Sequence, residues 1–317
     1  MIVSKCPVRI SVAGGSTDLE SFINKNGKGA VISFSANLYT YIALFRDKFG
    51  QNALGKKYHV VYSKTESSTD IDKIENDIAR VVLKKLSKGP LNCWFTADVP
   101  SSGSGLASSS SHILSLVHAV NRLEKLGLSK KNVIKTAWEL EKEFNPLTGF
   151  QDPYGCATGG LNIHEKRKGR EVKTKSLDTS IFYNFSMFLL PTFLNRSSTQ
   201  VLKEIKDNID HRLLSMVYDM QSAIINEDTK SFISLIKEGW QLKKSTSPII
   251  LGQKELRDMD EFISSYGNIL AHRLIGAGNG GYYLLITPKG VRKSELENVF
   301  KKTILPVSID YNGVRGV

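Results

Sequence analysis

The chain has 317 residues, of which 41% are hydrophobic and 23% are charged. A chain of this length is too long for one ordinary hydrophobic core, so it predicts two domains of a soluble globular protein. It contains no run of about 18 apolar residues, so we expect no membrane span. The formal net charge of +12 favours an anionic ligand or a nucleic acid.

The basic residues are spread along the chain rather than gathered in one patch. The densest run, from Glu165 to Arg170, has the composition of a solvated turn between two strands. No RNA- or DNA-binding motif accompanies this run. We therefore expect no nucleic-acid partner.

Cysteine usage indicates a reducing compartment. Cys6, Cys93 and Cys156 are odd in number and far apart, which argues against a disulfide framework and against a zinc site. The N-terminal residues carry no apolar segment of the secretory type. We therefore expect a cytoplasmic protein.

Strand and helix patterns follow one another in the first half of the chain. Apolar runs predict four strands, and apolar residues at three- and four-residue steps predict three helices. The predicted strands are 8–13, 30–45, 58–62 and 91–99, and the predicted helices are 69–86, 108–126 and 130–144.

The second half begins with a predicted strand over 182–190. A long amphipathic segment follows, with apolar residues at helical spacing from Val201 to Ile224. Further helices are predicted over 229–244, 254–265 and 293–303, and a strand over 282–287. This mixture without strict alternation predicts an α+β fold in two lobes, divided near residue 170.

A segment rich in glycine and serine, Pro100 to Ser111, lies between a predicted strand and a predicted helix. Gly103 and Gly105 carry no Cβ, so the backbone can approach a bulky anion and adopt positive φ. The helix that follows offers unpaired N–H groups and the positive end of its dipole to a phosphate. A phosphate site is therefore predicted here, and a plain loop is the alternative.

The segment from Arg9 to Asp18 is a strand followed by a Gly-Gly turn that presents Thr17 and Asp18. A carboxylate at a strand end can accept hydrogen bonds from sugar hydroxyls. The alternative is that Asp18 caps a helix over 19–24. Arg9, in an otherwise apolar strand, requires an anionic partner, either a phosphate or a catalytic carboxylate.

Two carboxylates lie close together in the sequence. Glu141 is on the helix predicted over 130–144, and Asp152 follows the turn after that helix. Phosphoryl transfer needs a magnesium ion on the phosphates and a group that positions the attacking hydroxyl. One carboxylate could bind the metal and the other the hydroxyl. The alternative is that both are ordinary surface residues.

A third glycine-rich segment, Gly276 to Gly281, precedes a predicted strand rather than a helix, so it is not a dinucleotide-binding fingerprint. Taken with the segments 7–19 and 100–110, it resembles the three motifs of the GHMP small-molecule kinases, in the same order. Further stretches resemble the sugar-kinase members that act on D-glycero-D-manno-heptose 7-phosphate, namely 151–162, 196–202 and 240–247.

The resemblance implies a two-lobed GHMP-kinase fold. The N-terminal lobe (1–170) would resemble ribosomal protein S5 domain 2 and bind ATP, and the C-terminal lobe (171–317) would be ferredoxin-like. It also implies an ATP- and Mg²⁺-dependent kinase that phosphorylates the anomeric hydroxyl of D-glycero-D-manno-heptose 7-phosphate, giving the 1,7-bisphosphate for GDP-heptose biosynthesis. The partner would be a small sugar phosphate, and the assembly to test is a homodimer. The alternatives are an anomeric kinase of free fucose or galactose, and a non-catalytic sugar or nucleotide sensor.

Residue by residue, the resemblance implies that Asp152 aligns or deprotonates the sugar hydroxyl and that Arg9 lies beside the reacting groups. Ser109 and Glu141 match the magnesium ligands. The positions matched to ATP binding are Pro100, Gly103, Ser104, Gly105, Leu106, Ala107, Ser108, Ser109 and Ser110. The positions matched to substrate binding are Gly14, Gly15, Ser16, Thr17, Asp18, Gln151, Arg196 and Gly278.

The chain departs from the family pattern at several positions. The family has glycine where Ser16, Ala107 and Asn279 stand, and glutamine where Pro153 stands. Ala107 would be unfavourable if its backbone had to adopt positive φ. These departures leave the identity of the sugar open.

For the substrate's own phosphate, the candidate is Arg196 at a predicted helix start. Ser197 and Gln200 have capping-box spacing, so backbone N–H groups would lie beside the guanidinium. The alternative is a helix cap with a solvent-exposed arginine. Lys243 and Lys244 are further candidates, although lysines on a helix face are usually solvated.

Overall fold

The computed structural model describes residues 1–46, 57–100, 103–194, 198–205 and 208–317. Within these ranges the chain forms two β-sheets, each with helices packed against it, as the sequence predicted for a two-lobed α+β protein. The strands are β1 (Ile2–Ala13), β2 (Lys28–Phe45), β3 (Tyr58–Val61), β4 (Thr65–Ser68), β5 (Asn92–Ala97), β6 (Leu161–Arg167), β7 (Lys173–Leu177), β8 (Phe185–Pro191), β9 (Ala271–Leu274), β10 (Tyr282–Pro288), β11 (Leu305–Pro306) and β12 (Arg315–Gly316).

The helices connect these strands and flank the sheets. Three of them begin with a side-chain cap, since Asn76, Ser129 and Asp228 each accept a hydrogen bond from a first-turn N–H group. The helices are α1 (Glu20–Asn26), α2 (Asp77–Leu86), α3 (Ser108–Glu124), α4 (Lys130–Phe144), α5 (Gln151–Ala157), α6 (Ser198–Ile205), α7 (Arg212–Ile225), α8 (Thr229–Thr246), α9 (Lys254–Ser265) and α10 (Lys293–Phe300).

The first sheet is built around the long strand β2. The strand order is β12-β1-β2-β5-β3-β4, and β6 also pairs with β2 and carries β7 at its other edge. Helices α2, α3 and α4 pack on this sheet over an apolar core that includes Leu44, Val82 and Val117. β1 is almost entirely buried, so any polar side chain on it lies inside the protein.

The second sheet has the order β11-β8-β10-β9, and all of its pairs are antiparallel. Helices α6 to α9 connect β8 to β9, and α10 connects β10 to β11. This β-α-β-β-α-β order is ferredoxin-like. A core that includes Phe34 of β2 and Leu284 of β10 joins the two sheets, so the lobes share buried apolar contacts.

Several predicted elements differ from the observed ones. β1 begins at Ile2, six residues before the predicted strand, and α10 ends at Phe300, three residues before the predicted helix end. The helix predicted over 69–86 is reduced to α2, because Asp70 accepts a hydrogen bond from Asp72 N and starts a short 3₁₀ turn. The segment from Val201 to Ile224 is two helices, because Asp210 accepts from Arg212 N (2.8 Å) and begins α7 separately. The strand predicted from residue 182 begins at Phe185, after a further 3₁₀ turn.

The predicted division between residues 170 and 171 falls in the turn that joins β6 to β7. Arg170 N donates to the Arg167 carbonyl (2.9 Å), so the charged run is the turn that the sequence predicted. β7 and the C-terminal β12 both belong to the first sheet. Strand pairing therefore carries the first lobe beyond the predicted division, to Leu177, and returns the chain to it at the C-terminus.

Candidate active site

A cavity of about 470 Å³ opens between the two lobes. The first lobe contributes side chains from β1, α4 and α5 and the loop that precedes α3. The second lobe contributes Lys243 of α8, Arg273 of β9 and the start of the loop after β9. The predicted site residues that line this cavity are Arg9, Gly15, Ser16, Asp18, Gly103, Ser104, Gly105, Ala107, Ser108, Ser109, Ser110, Glu141, Gln151 and Asp152.

Arg9 and Asp152 form an ion pair on the wall of this cavity. Arg9 is buried in β1, and its Nε and Nη2 atoms lie 2.9 and 2.7 Å from Asp152 Oδ1. Burial by itself would lower the pKa of Arg9, but the charge and hydrogen bonds of Asp152, together with Cys156 and Asp18, outweigh burial and raise that pKa. The sequence predicted either a phosphate or a carboxylate as the anionic partner of Arg9, and among the described residues that partner is the carboxylate of Asp152.

Glu141 is buried inside α4, with 1% of its surface exposed. Its Oε2 accepts a hydrogen bond from the Ser110 hydroxyl at 2.6 Å. Burial raises the pKa of Glu141 to about 8, although the hydroxyls of Ser110 and Ser109 favour the ionised form. The alternative of a solvated surface carboxylate is therefore wrong for Glu141.

Asp18 lies at the other end of the cavity and is buried. Its carboxylate accepts a hydrogen bond from Gln151 N (3.2 Å) at the start of α5. Burial, together with the charge of Asp152, raises the pKa of Asp18 to about 6. The alternative role as a helix cap is wrong, because α1 begins at Glu20 without a side-chain cap.

The loop before α3 adopts the backbone that a phosphate site needs. Gly103 and Gly105 have φ values of 71° and 79°, as the sequence predicted. β1 holds the loop, since Arg9 N donates to the Leu106 carbonyl (3.1 Å) and Arg9 Nη1 to the Gly105 carbonyl (2.6 Å). A Cβ on Gly281 would overlap the Ser104 backbone, so the third glycine-rich segment packs directly against this loop.

The three positions at which the family has glycine all adopt the left-handed backbone. Ser16 and Ala107 have φ of 63°, and Asn279 has φ of 60°. Ala107 is the residue that precedes α3 and directs its N-terminus into the cavity. The chain therefore keeps the glycine conformation at these positions with non-glycine residues.

Comparisons with known proteins agree with this geometry. Residues 73–160 match the family model of the GHMP kinases N terminal domain. The chain is 24% identical over 301 residues to D-glycero-alpha-D-manno-heptose 7-phosphate kinase of Campylobacter jejuni, covering 89% of this chain and 88% of that protein. It is 23% identical over 340 residues to galactokinase of Thermotoga petrophila, covering 94% and 93%.

Among solved structures, a D-glycero-D-manno-heptose 1-phosphate kinase from Bacteriodes thetaiotaomicron superposes with a TM-score of 0.77. The two sequences are 20% identical, and the match covers 100% of this chain and 99% of that one. The chain therefore has the two-lobed GHMP-kinase fold, with a ferredoxin-like second lobe, and its residues 73–160 match the N-terminal domain of that family.

Several predicted site residues do not line the cavity. Thr17 is fully buried and donates to the Ala30 carbonyl (2.6 Å), so its hydroxyl supports the turn. Gly14 packs on the same carbonyl, and Gly278 packs on Ile250. Leu106 is buried in the core, and Pro100 is exposed outside the cavity. Arg196 lies outside the described residues, together with Ser197.

Two basic residues that the sequence offered little or no reason to place in the site also line the cavity. Lys243 was expected on a solvated helix face, but it is buried and its ammonium group donates to the Gly276 carbonyl. Lys244, by contrast, pairs with Asp260 (2.7 Å) away from the cavity. Arg273 lies on β9, a strand that the sequence did not predict, in a stretch without any motif.

A second cavity, of about 490 Å³, adjoins the first. It lies between the 58–78 region and β5, and the two cavities share Ser109 and Phe144 as lining residues. Its aromatic walls are Tyr62, Phe95 and His112. No helix in the part of the chain that the structure describes is long and apolar enough to cross a bilayer.

Proposed function

We propose that this protein is an ATP- and Mg²⁺-dependent sugar kinase that phosphorylates the anomeric hydroxyl of D-glycero-D-manno-heptose 7-phosphate. The observation that carries the proposal is the position of the Arg9–Asp152 pair. This ion pair lines the same cavity as the glycine-rich loop before α3 and the turn after β1 that carries the buried Asp18. Phosphoryl transfer requires this combination of positioning groups and electrostatic stabilisation.

ATP would occupy the space along the loop before α3 and the second cavity. Backbone N–H groups at the start of α3 and the positive end of its dipole favour the phosphates. The second cavity has a volume and aromatic lining suited to a planar base. Because Ser109 and Phe144 line both cavities, one nucleotide could extend from one to the other.

The oxygen donors near the loop fit a magnesium ion. Ser109, Ser110 and Glu141 offer hydroxyl and carboxylate oxygens, which are the ligands that this hard cation prefers. Glu141 is a buried carboxylate whose charge requires compensation, and a cation would supply it. When bound, the ion would neutralise charge on the phosphates.

Asp152 is the group placed to receive the proton of the attacking hydroxyl. Its side chain is partly exposed to the cavity (31%), whereas Arg9 behind it is buried. Arg9 orients the carboxylate by pairing with Oδ1. A sugar hydroxyl that donates to Asp152 would therefore face the phosphate loop with its oxygen ready to attack.

The sugar would occupy the end of the cavity near Asp18 and Gln151. Asp18 can accept hydrogen bonds from sugar hydroxyls, and burial excludes competing water. The similarity to a heptose 7-phosphate kinase supports a phosphorylated heptose, and the similarity to a galactokinase supports a free sugar as the second candidate.

The test is an ADP-release assay with free and phosphorylated hexoses and heptoses, combined with phosphorus NMR of the product. We expect ADP release with D-glycero-D-manno-heptose 7-phosphate and an anomeric phosphate resonance in the product. Faster turnover of free galactose or fucose than of the heptose 7-phosphate would support the second candidate, a kinase of a free sugar. Sugar binding without ADP release above the sugar-free rate would indicate a non-catalytic sensor and contradict the proposal.

A further inference from the structure

Arg273 is a buried guanidinium that forms no ion pair with any carboxylate of the described residues. It is 3% exposed, lies on β9 and lines the cavity between the lobes. Its Nη1 donates to the Val12 carbonyl at 2.6 Å, and its Nε atom is buried without any hydrogen-bond partner in the described ranges. A buried cation in this state is unfavourable unless an anion compensates its charge.

The three carboxylates of the cavity are already engaged elsewhere. Asp152 pairs with Arg9, Glu141 accepts from Ser110, and Asp18 accepts from Gln151 N. Among the residues that the structure describes, no acidic group lies within 4.0 Å of the Arg273 guanidinium. Burial and the charge of Arg9 both lower the pKa of Arg273, to about 10, and no neighbouring carboxylate opposes them.

Other buried or half-buried arginines of this protein have an acidic partner. Arg9 has Asp152, Arg46 has Glu124 and Arg315 has Asp310. Arg273 differs from them in that it faces a cavity instead. The missing partner is therefore expected to arrive with a ligand.

The position of Arg273 associates it with the sugar rather than with the nucleotide. The Val12 carbonyl, which accepts the hydrogen bond from Arg273, lies three residues beyond Arg9 along β1. The strand ends one residue later, and the turn that follows it ends at Asp18. At about 3.3 Å per residue, Val12 lies about 10 Å further along the strand from Arg9 and the phosphate loop. Lys243, which donates to the Gly276 carbonyl, adds a second buried positive charge on the same wall.

We propose that Arg273 binds an anionic group that the sugar substrate carries away from its reacting hydroxyl. The inference rests on the proposed sugar-kinase function and adds to it a residue that selects anionic sugars over neutral ones. A guanidinium presents a planar fork of donors that suits a phosphate monoester or a carboxylate. We expect the phosphate monoester, and a sugar acid is the second source of the same charge.

The test compares wild-type protein with Arg273→Gln, Arg273→Lys and Arg292→Gln, using matched pairs of sugars. Arg292 is exposed before α10 and serves as the control for loss of one arginine. The pairs are D-glycero-D-manno-heptose 7-phosphate with the free heptose, and D-mannose 6-phosphate with D-mannose and D-mannuronic acid. KM for each sugar, KM for ATP and the melting temperature are measured.

We expect Arg273→Gln to raise KM for the phosphorylated sugar by about 10- to 100-fold, because one charged hydrogen-bonding group is lost. KM for ATP and for the free sugar should change by less than about 3-fold, and Arg292→Gln should match the wild type. Arg273→Lys should recover part of the loss. An equal loss on free and phosphorylated sugars, or a rise in KM for ATP alone, would overturn the inference.

The wild-type protein alone also tests the inference if the variants do not fold. Calorimetric titration should show tighter binding of the phosphorylated sugar, or of the sugar acid, than of its neutral partner. Equal affinities would overturn the role of Arg273 and leave the sugar-kinase function standing. No ADP release from any sugar would instead overturn the proposed function itself.

Discussion

Arg9 and Asp152 are joined by two hydrogen bonds that end on the same carboxylate oxygen. Arg9 Nε and Nη2 both donate to Oδ1, at 2.9 and 2.7 Å, while Nη1 donates to the Gly105 carbonyl at 2.6 Å. Oδ2 has no hydrogen bond to any described residue. One buried side chain therefore ties the carboxylate to the phosphate loop and leaves an oxygen of Asp152 available to a substrate hydroxyl.

Asp152→Asn is expected to lower kcat by about 100- to 10,000-fold, which is the contribution of a positioned general base. The amide keeps an oxygen that can accept from Arg9 but cannot take a proton. Binding of ATP, measured by calorimetry, should change little. Asp219→Asn, an exposed change of the same type on α7, is the control and should keep full activity. Unchanged kcat in Asp152→Asn would remove Asp152 from the chemistry.

Glu141→Gln is expected to stabilise the metal-free protein at alkaline pH. Burial raises the pKa of Glu141 from 4.5 to about 8. Between pH 4.5 and pH 8, Glu141 is therefore protonated in the folded protein and ionised in the unfolded chain. The free energy of unfolding of the wild type therefore falls as the pH rises from 4.5 to 8, whereas glutamine does not titrate. Over this pH range, the free energy of unfolding of the variant should therefore rise relative to that of the wild type by on the order of 3 kcal/mol.

Urea denaturation in the presence of a chelator measures this difference. Glu139→Gln, an exposed change on the same helix, is the control and should follow the wild-type pH profile. The same Glu141→Gln variant should need more Mg²⁺ for half-maximal activity, because one charged oxygen donor is lost. Parallel stability profiles for Glu141→Gln and wild type would mean that this carboxylate titrates like an exposed one.

Hydrophobic periodicity was enough to predict the elements that pack on the first sheet. The helices predicted over 108–126 and 130–144 correspond to α3 and α4. Periodicity could not reveal the break before α7, because the apolar spacing continues across it, while Arg212 N donates to the Asp210 carboxylate at the start of α7. Nor could it reveal that β12 pairs with β1, since this contact joins the two ends of the chain.

The site was predictable where local sequence carries the chemistry. The unusual arginine in β1, the glycine-rich loop and the two carboxylates each have a local signal, and the fold brings them to one cavity. Arg273 has no such signal, because a buried cation in a short strand is recognised only when its surroundings are known. The sequence did name Lys243, but it could not distinguish this lysine from its neighbour Lys244, which lies outside the cavity.

Ala107→Gly is expected to stabilise the protein by about 0.5–1 kcal/mol. The left-handed backbone at φ 63° costs alanine about 1–2 kcal/mol, and glycine would relieve this strain. The greater freedom of glycine in the unfolded chain offsets about 0.5–1 kcal/mol of that stabilisation. Ala119→Gly, in the middle of α3, is the control and should be destabilised by at least about 1 kcal/mol. Urea denaturation of both variants checks the opposite signs, and equal losses would show that Ala107 carries no backbone strain.

Gly149→Ala is expected to damage the sugar end of the cavity more than the nucleotide end. A Cβ at this position would overlap the Asp18 carboxylate, so Asp18 must move and lose its hydrogen bond from Gln151 N. KM for the sugar should therefore rise by about 10-fold or more, while KM for ATP stays within about 3-fold of the wild type. Gly239→Ala in α8 is the control, because its Cβ would lie 3.5 Å from Met216, an ordinary contact, and helix propensity favours the alanine. If both variants kept wild-type KM values, Asp18 would have no part in binding the sugar.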